Sequence, residues 1–256
     1  ILSKGIENKA KENGYSVEIY SANNQKDLEL QNIAKAIKSK VDGIVISPIN
    51  SSTAQTLLRF TKNAKIPTVI ADIGTDGGEY LTFISSNNFQ GAYEIGKVLA
   101  KKMQELHYDK DGSVGIIGIP QKRANGQART QGFKKAMDEA GIKSAGLLQQ
   151  VDFSYLETYN HAMQLIKENK NLRALWLQGS DRYQGALDAI EKSGKKGEIL
   201  LLCFDAEPEF LEMIPQKILT GSAMQQPYLM GEKSVNSLID HFGKKKVQKE
   251  QKLEIL

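Results

Sequence analysis

Six apolar residues run without a break from Ile199 to Phe204 and stop at an acid, Asp205. A run this short, closed by a charged residue, reads as a strand covered on both faces. A short amphipathic segment follows, with Phe210, Leu211 and Ile214 at helical spacing. A second strand is expected from Ile218 to Met224, ending at Gln225. One strand–helix–strand unit therefore sets a carboxylate and a carboxamide where two strands give out, and in open parallel sheets that carboxyl edge is where ligands bind. The expectation is that Asp205 and Gln225 form two walls of a small polar pocket. The competing reading makes Asp205 the cap of the following helix.

The same alternation extends along the whole chain. Helical periodicity covers 1–13, 25–39, 52–63, 88–106, 126–140, 155–168, 182–193 and 228–242. Strand patterns fall at Tyr15–Tyr20, 43–47, Thr68–Ala71, Leu81–Ile84, Ser113–Ile119, Leu147–Val151, Leu172–Leu177 and near Leu253. Strands that alternate with helices of this length imply right-handed crossovers and parallel sheets. About ten strands exceed what one doubly wound sheet with a single core accommodates, so two sheets in two lobes are expected. The first helix has no strand before it, and a first strand upstream of Ile1 is expected to be missing from this stretch.

Composition narrows the chemistry. With 40% apolar and 25% charged residues the chain is that of a soluble globular protein, and no apolar run is long enough to span a bilayer. The chain opens inside a helical pattern, so no signal peptide is read in it. The paired lysines Lys195-Lys196 and the run Lys244-Lys245-Lys246 fall in turns and read as solvated loops, not as a nucleic-acid surface. The single cysteine, Cys203, lies in the apolar run with no activating neighbour and reads as a buried thiol. No Walker loop, dinucleotide glycine loop or nucleophile elbow occurs. His107, His161 and His241 have no metal-ligand partners at persuasive spacing. These observations point away from an enzyme and call for no cofactor and no metal.

Several strings resemble the ribose-type periplasmic sugar-binding proteins, the class I substrate-binding proteins of ABC importers, which share a fold with the cores of LacI-type repressors. They are Ala64-Lys-Ile-Pro-Thr-Val-Ile-Ala-Asp72, Ile84-Ser-Ser-Asn-Asn88 followed by Gly91 and Gly96, Ala128-Arg129-Thr-Gln-Gly-Phe133, Asp152-Phe153, Cys203-Phe-Asp205 and Gly221-Ser-Ala-Met-Gln225-Gln-Pro227. The resemblance implies an α/β fold of periplasmic binding protein type I: two Rossmann-like lobes with parallel sheets joined by three hinge crossings. These crossings are expected near Ser86–Asn88, Gln225–Pro227 and Lys249–Lys252. The N-terminal lobe would comprise 1–86 plus 227–249, and the C-terminal lobe 87–226 plus 250–256.

The resemblance also implies roles. Asp72 is similar to a carboxylate accepting sugar hydroxyls, and Arg129 to an arginine donating to ring and hydroxyl oxygens. Phe153 resembles an aromatic wall, Asp205 the opposing acid and Gln225 a hinge-edge amide. The residues alone leave other readings open: Arg129 as a surface ion-pairing residue, Phe153 as core, Asp72 as the start of the Gly74 turn. The chemistry suits a sugar, whose rim of hydroxyls takes ionised acceptors and a planar guanidinium, and whose C–H faces take an aromatic ring.

Two departures stand out: Ile73 where ribose binders follow the acid with Arg, and Gly179, ahead of Ser180 and Asp181, where they place Asn. They point to a ligand other than ribose, a less polar or differently shaped one or a modified sugar. The resulting expectation is a monomeric solute-binding protein, periplasmic or extracytoplasmic, with or without a lipid anchor, that closes its lobes on a carbohydrate-like small molecule and delivers it to an ABC importer. The alternatives are a sensing domain of, or partner to, a two-component receptor kinase, and the effector core of a LacI-type repressor.

Overall fold

The computed structural model describes residues 1–256. The chain divides into two compact units. Unit 1 comprises Ile1–Asn87, Lys122–Asn125 and Gln226–Glu254, and unit 2 comprises Asn88–Gln121, Gly126–Gln225 and Ile255–Leu256.

Unit 1 is built on four parallel strands in the order β1 (Ile44–Ile46), β2 (Thr68–Ala71), β3 (Thr82–Ser86), β9 (Glu250–Leu253). Successive side chains of a strand point to opposite faces, and β2 shows this directly. Its Ile70 packs with Ile33 and Ala36 of helix α2 (Lys26–Lys38) and Leu57 and Leu58 of α3 (Ser51–Asn63). Its Val69 and Ala71 join Met230 and Leu238 of α9 (Pro227–Phe242) on the other face. Helix α1 (Leu2–Glu12) lies along α9. Helix starts follow the local chemistry: Asn50 accepts the Thr53 N–H at 2.9 Å to cap α3, and Pro227 opens α9 where no donor is needed.

Unit 2 carries five parallel strands in the order β5 (Lys143–Gln149), β4 (Ser113–Gly118), β6 (Leu172–Leu177), β7 (Leu200–Phe204), β8 (Gly221–Ala223). Alternation again sorts the core. Ala174, Trp176, Leu202 and Phe204 face α4 (Asn88–Glu105) and α5 (Ala124–Glu139), while Leu175, Leu177, Leu201 and Cys203 face α6 (Tyr155–Glu168) and α7 (Tyr183–Lys192). Cys203 is fully buried, and that burial pushes its thiol well above the ordinary range. Helix α8 (Phe210–Met213) is a single turn. No helix is long and apolar enough to cross a membrane.

Four expectations are corrected. Tyr15–Tyr20 joins neither sheet, and Val17 and Ile19 are exposed; alternation records a half-buried face, but a strand also needs a hydrogen-bonded neighbour. Strand β5 runs over Lys143–Gln149, not 147–151. It is an exposed edge strand whose register slips opposite Val114/Gly115, so its first half carries no apolar signal. Strand β8 is confined to Gly221–Ala223, with Ile218 exposed. Of the tail 250–256 expected in the second lobe, only Ile255 and Leu256 lie there, because β9 pairs with β3 through Phe83↔Glu250 to Ser86↔Leu253. The last crossing therefore follows Glu254, because the edge of β3 binds the tail first.

Candidate functional site

In both units an aspartate follows directly on a buried strand. Asp72 follows β2 and donates its N–H to Ile84 O at 2.9 Å; Asp205 follows β7 and donates to Ala223 O at 2.8 Å. Both then turn into the left-handed region, at φ 66° and 71°. Aspartate tolerates that conformation better than most residues. The last ladder bond thus holds each acid at the carboxyl edge of its sheet while the chain departs.

Around Asp205 the expected residues assemble. Gln225 donates through Nε2 to Asp205 Oδ1 at 2.6 Å, and Arg129 Nη1 stands 3.8 Å from Oδ2. The Ser222 hydroxyl donates to the Asp205 carbonyl, bracing the turn. Arg129 itself is 3% exposed against 36% for the Asp205 side chain. A guanidinium buried this deeply needs partners for its charge and its donors. It donates through Nε to Asn88 Oδ1 at 2.8 Å and through Nη1 to Gln178 O at 2.6 Å, and its carbon lies 3.9 Å from the centroid of the Phe204 ring. The surface-arginine reading of Arg129 is therefore wrong. The helix-cap reading of Asp205 fails as well, since α8 starts at Phe210 with no side-chain cap.

Glycine sets the height of that arginine. Gly132, one turn past Arg129 on α5, lies against α4, where an added Cβ would run into the Phe89 carbonyl oxygen. Only glycine lets α5 approach this closely, and the approach puts Arg129 within reach of Asn88 on α4.

Two residues of this cluster were missed in the sequence. Asn88 figures in the sequence only as the end of the string Ile84–Asn88, and Gln178 carries no motif of its own. Gln178 is fully buried and bonded through both amide atoms: Oε1 accepts the Ile119 N–H at 3.2 Å, and Nε2 donates to Thr130 Oγ1 at 2.6 Å. Ser180 and Asp181, which follow Gly179 where ribose binders place Asn, have partners of their own. Ser180 donates to Glu207 at 2.7 Å, and Asp181 lies 3.5 Å from Arg182.

Phe153 sits in the loop between β5 and α6 of the same unit, half-buried, at φ 53°. For an aromatic residue the left-handed region is strained, and the loop is held there from two sides. The Glu157 carboxylate accepts three consecutive backbone N–H groups, from Val151 at 2.6 Å, Asp152 at 3.0 Å and Phe153 at 2.8 Å. Arg182 Nε donates to the Phe153 carbonyl at 2.6 Å. Burial pushes the Glu157 carboxyl up, but the three donors outweigh it and hold the group below the ordinary carboxylate value.

The unit 1 edge carries Asp72, followed by the buried Ile73. Near it stands a third residue missed in the sequence, Arg123, whose Nε donates to Ile49 O at 3.1 Å. Burial pushes the Arg123 guanidinium down from its ordinary value, and the Asp72 charge works in the opposite direction.

Two all-parallel sheets, each clothed by helices on both faces and each presenting an acid at its carboxyl edge, define a periplasmic binding fold of type I. A family model described as periplasmic binding protein domain matches residues 1–246, and the chain belongs to that family. It is 28% identical over 249 residues to the ribose import binding protein of Bacillus subtilis (strain 168), covering 97% of this chain and 78% of that protein. It is 24% identical to the D-allose-binding periplasmic protein of Escherichia coli (strain K12), covering 93% and 78%. In structure it is similar to an ABC transporter periplasmic solute binding protein from Actinobacillus succinogenes 130z solved with bound D-allose, at a TM-score of 0.88 and 20% identity, covering 100% of this chain and 90% of that one.

Proposed function

We propose that this protein binds a neutral monosaccharide or close analogue outside the cytoplasmic membrane and hands it to an ABC importer, without chemical change to the ligand. The observation that carries the reading is the Arg129–Asp205–Gln225 cluster at the carboxyl edge of unit 2, built around a guanidinium that is 3% exposed. Ionised acceptors beside a planar donor suit vicinal hydroxyls, and such charge-assisted bonds are among the strongest and most directional available. In this reading Asp72 offers a second carboxylate to the ligand, and Phe153 covers a C–H face of the ring, where an aromatic adds apolar area at low entropic cost. The two units close on the ligand about the chain crossings, the protein acting as a monomer. A micromolar affinity corresponds to about −8 kcal/mol, within reach of a few such bonds plus one ring contact.

Similarity to ribose- and allose-binding relatives supports a sugar over other small molecules. The test is calorimetry against a panel of pentoses and hexoses with wild type, Asp205→Asn and Asp72→Asn. At least one sugar is expected to bind at micromolar or better affinity, and each variant to lose about 10²-fold, the worth of one charge-assisted bond. Binding by the wild type that survives both substitutions contradicts the assigned site.

A further inference from the structure

We propose that Arg123 is a ligand-reading residue, the guanidinium that partners Asp72 on the unit 1 edge as Arg129 partners Asp205 on unit 2. The inference rests on the sugar-binding reading and adds a residue to it.

The segment that carries Arg123, the end of a turn and the first residues of α5, has an unusual position. Lys122–Asn125 groups with unit 1, although the chain on both sides of it, through Gln121 and from Gly126, belongs to unit 2. Two hydrogen bonds hold this segment, and the Ala124 methyl faces Gly74. Arg123 Nε bonds Ile49 O at 3.1 Å, the Ala124 N–H donates to Ser51 Oγ at 3.3 Å, and the Ala124 methyl lies 3.8 Å from where a Cβ on Gly74 would be. Ile49 and Ser51 follow strand β1, and Gly74 lies two residues past Asp72, so Arg123 is held over the ends of β1 and β2 on the side that carries the acid. The support beneath it is stiff. The Ile49 N–H is itself held by Glu29 Oε1 at 2.8 Å, and Asn50 caps α3. Glu29 is 7% exposed, and its burial pushes the carboxyl up.

Unit 2 shows the same pattern in full. Asp72 and Asp205 share a strand-end position, a ladder bond and a left-handed backbone. Asp205 has an arginine 3.8 Å away. At the edge of unit 1 the residue after the acid, Ile73, is buried and supplies no donor. Arg123, some fifty residues further along the chain, supplies a guanidinium whose plane is set by its Nε bond. Each edge then presents one carboxylate and one guanidinium. Such a couple accepts from one hydroxyl and donates to its neighbour, and its charges offset. The ligand class it fits is an uncharged polyol with adjacent hydroxyls, in preference to a sugar acid or an amino sugar.

The test measures wild type, Arg123→Gln and Arg123→Lys by calorimetry with the tightest sugar of the panel, with its monodeoxy analogues and with its uronic acid. Arg123→Gln is expected to weaken the parent sugar at least 10-fold with a melting temperature within about 2 °C of wild type. One deoxy analogue is expected to bind wild type at least 10-fold more weakly than the parent, yet to lose little further affinity in Arg123→Gln, because both changes remove the same bond. Arg123→Lys, which keeps charge and loses the fork, is expected to fall between them and serves should the glutamine variant fold poorly. The inference is overturned by a parent affinity within 2-fold of wild type in both variants, by an equal loss for every analogue, which marks Arg123 as a tether only, or by a preference for the uronic acid. A wild type that binds no sugar of the panel overturns the sugar-binding reading and this inference with it.

Discussion

Phe153 is the residue where strain and purpose meet most visibly. At φ 53° it occupies a conformation that costs a non-glycine residue about 1–2 kcal/mol, and its backbone N–H and C=O are clamped by Glu157 and Arg182. Its half-buried ring belongs to neither core cluster of its unit, and glycine at this position relieves the backbone strain. Phe153→Gly is therefore expected to leave the melting temperature unchanged or slightly higher, while sugar affinity drops at least 10-fold with the loss of the ring's apolar area. A variant that melts well below wild type and keeps its affinity makes Phe153 a packing residue. Glu157 gives the matching pH dependence. Its folded pKa lies below the ordinary value of about 4.3, so its contribution is fully present above that value and is lost as the pH falls through the depressed one. Glu157→Gln is expected to cost about 2 kcal/mol at pH 7 by chemical denaturation, with the difference from wild type shrinking toward pH 3. A difference that does not change with pH assigns the effect to something other than the anion.

At the scale of elements, the contact between α4 and α5 positions the buried arginine. Gly132→Ala forces α5 away from the Phe89 carbonyl, at an expected cost of about 1–3 kcal/mol. The same shift lengthens the Arg129–Asn88 bond, so affinity is expected to fall together with stability; a loss below about 0.5 kcal/mol contradicts the close approach. What the sequence disclosed also divides by element. Strands β2, β4, β6 and β7 are apolar runs because both their faces are covered, and such runs are legible without any partner. Asp205 and Gln225 were legible together because one strand–helix–strand unit carries both. Tyr15–Tyr20 and the first half of β5 misled because pairing is a property of two segments, and a single segment's pattern does not contain it. Asn88 and Gln178 were hidden for a related reason: each acts through a contact with Arg129 from 41 and 49 residues away. Arg123 was hidden further, since only the fold brings it near an acid at position 72.

For the molecule as a whole, the chain's order of crossing matters more than its length. It passes from unit 1 to unit 2 after Asn87, returns after Gln225 and ends in unit 2 after Glu254, with the segment Lys122–Asn125 as an additional excursion. The candidate residues therefore come from both units: Asp72 and Arg123 from one, Arg129, Phe153, Asp205 and Gln225 from the other. Unit 2 carries an acid, a guanidinium and an aromatic ring in Asp205, Arg129 and Phe153, while unit 1 supplies the acid and guanidinium of Asp72 and Arg123. The most direct measurement is a crystal structure of the protein with the tightest-binding sugar of the panel. The expected result is a single sugar whose hydroxyls bond to the carboxylates of both Asp72 and Asp205 and to Arg129, with Phe153 against one face of the ring; a sugar seated elsewhere, or touching the residues of one unit alone, contradicts the assigned site.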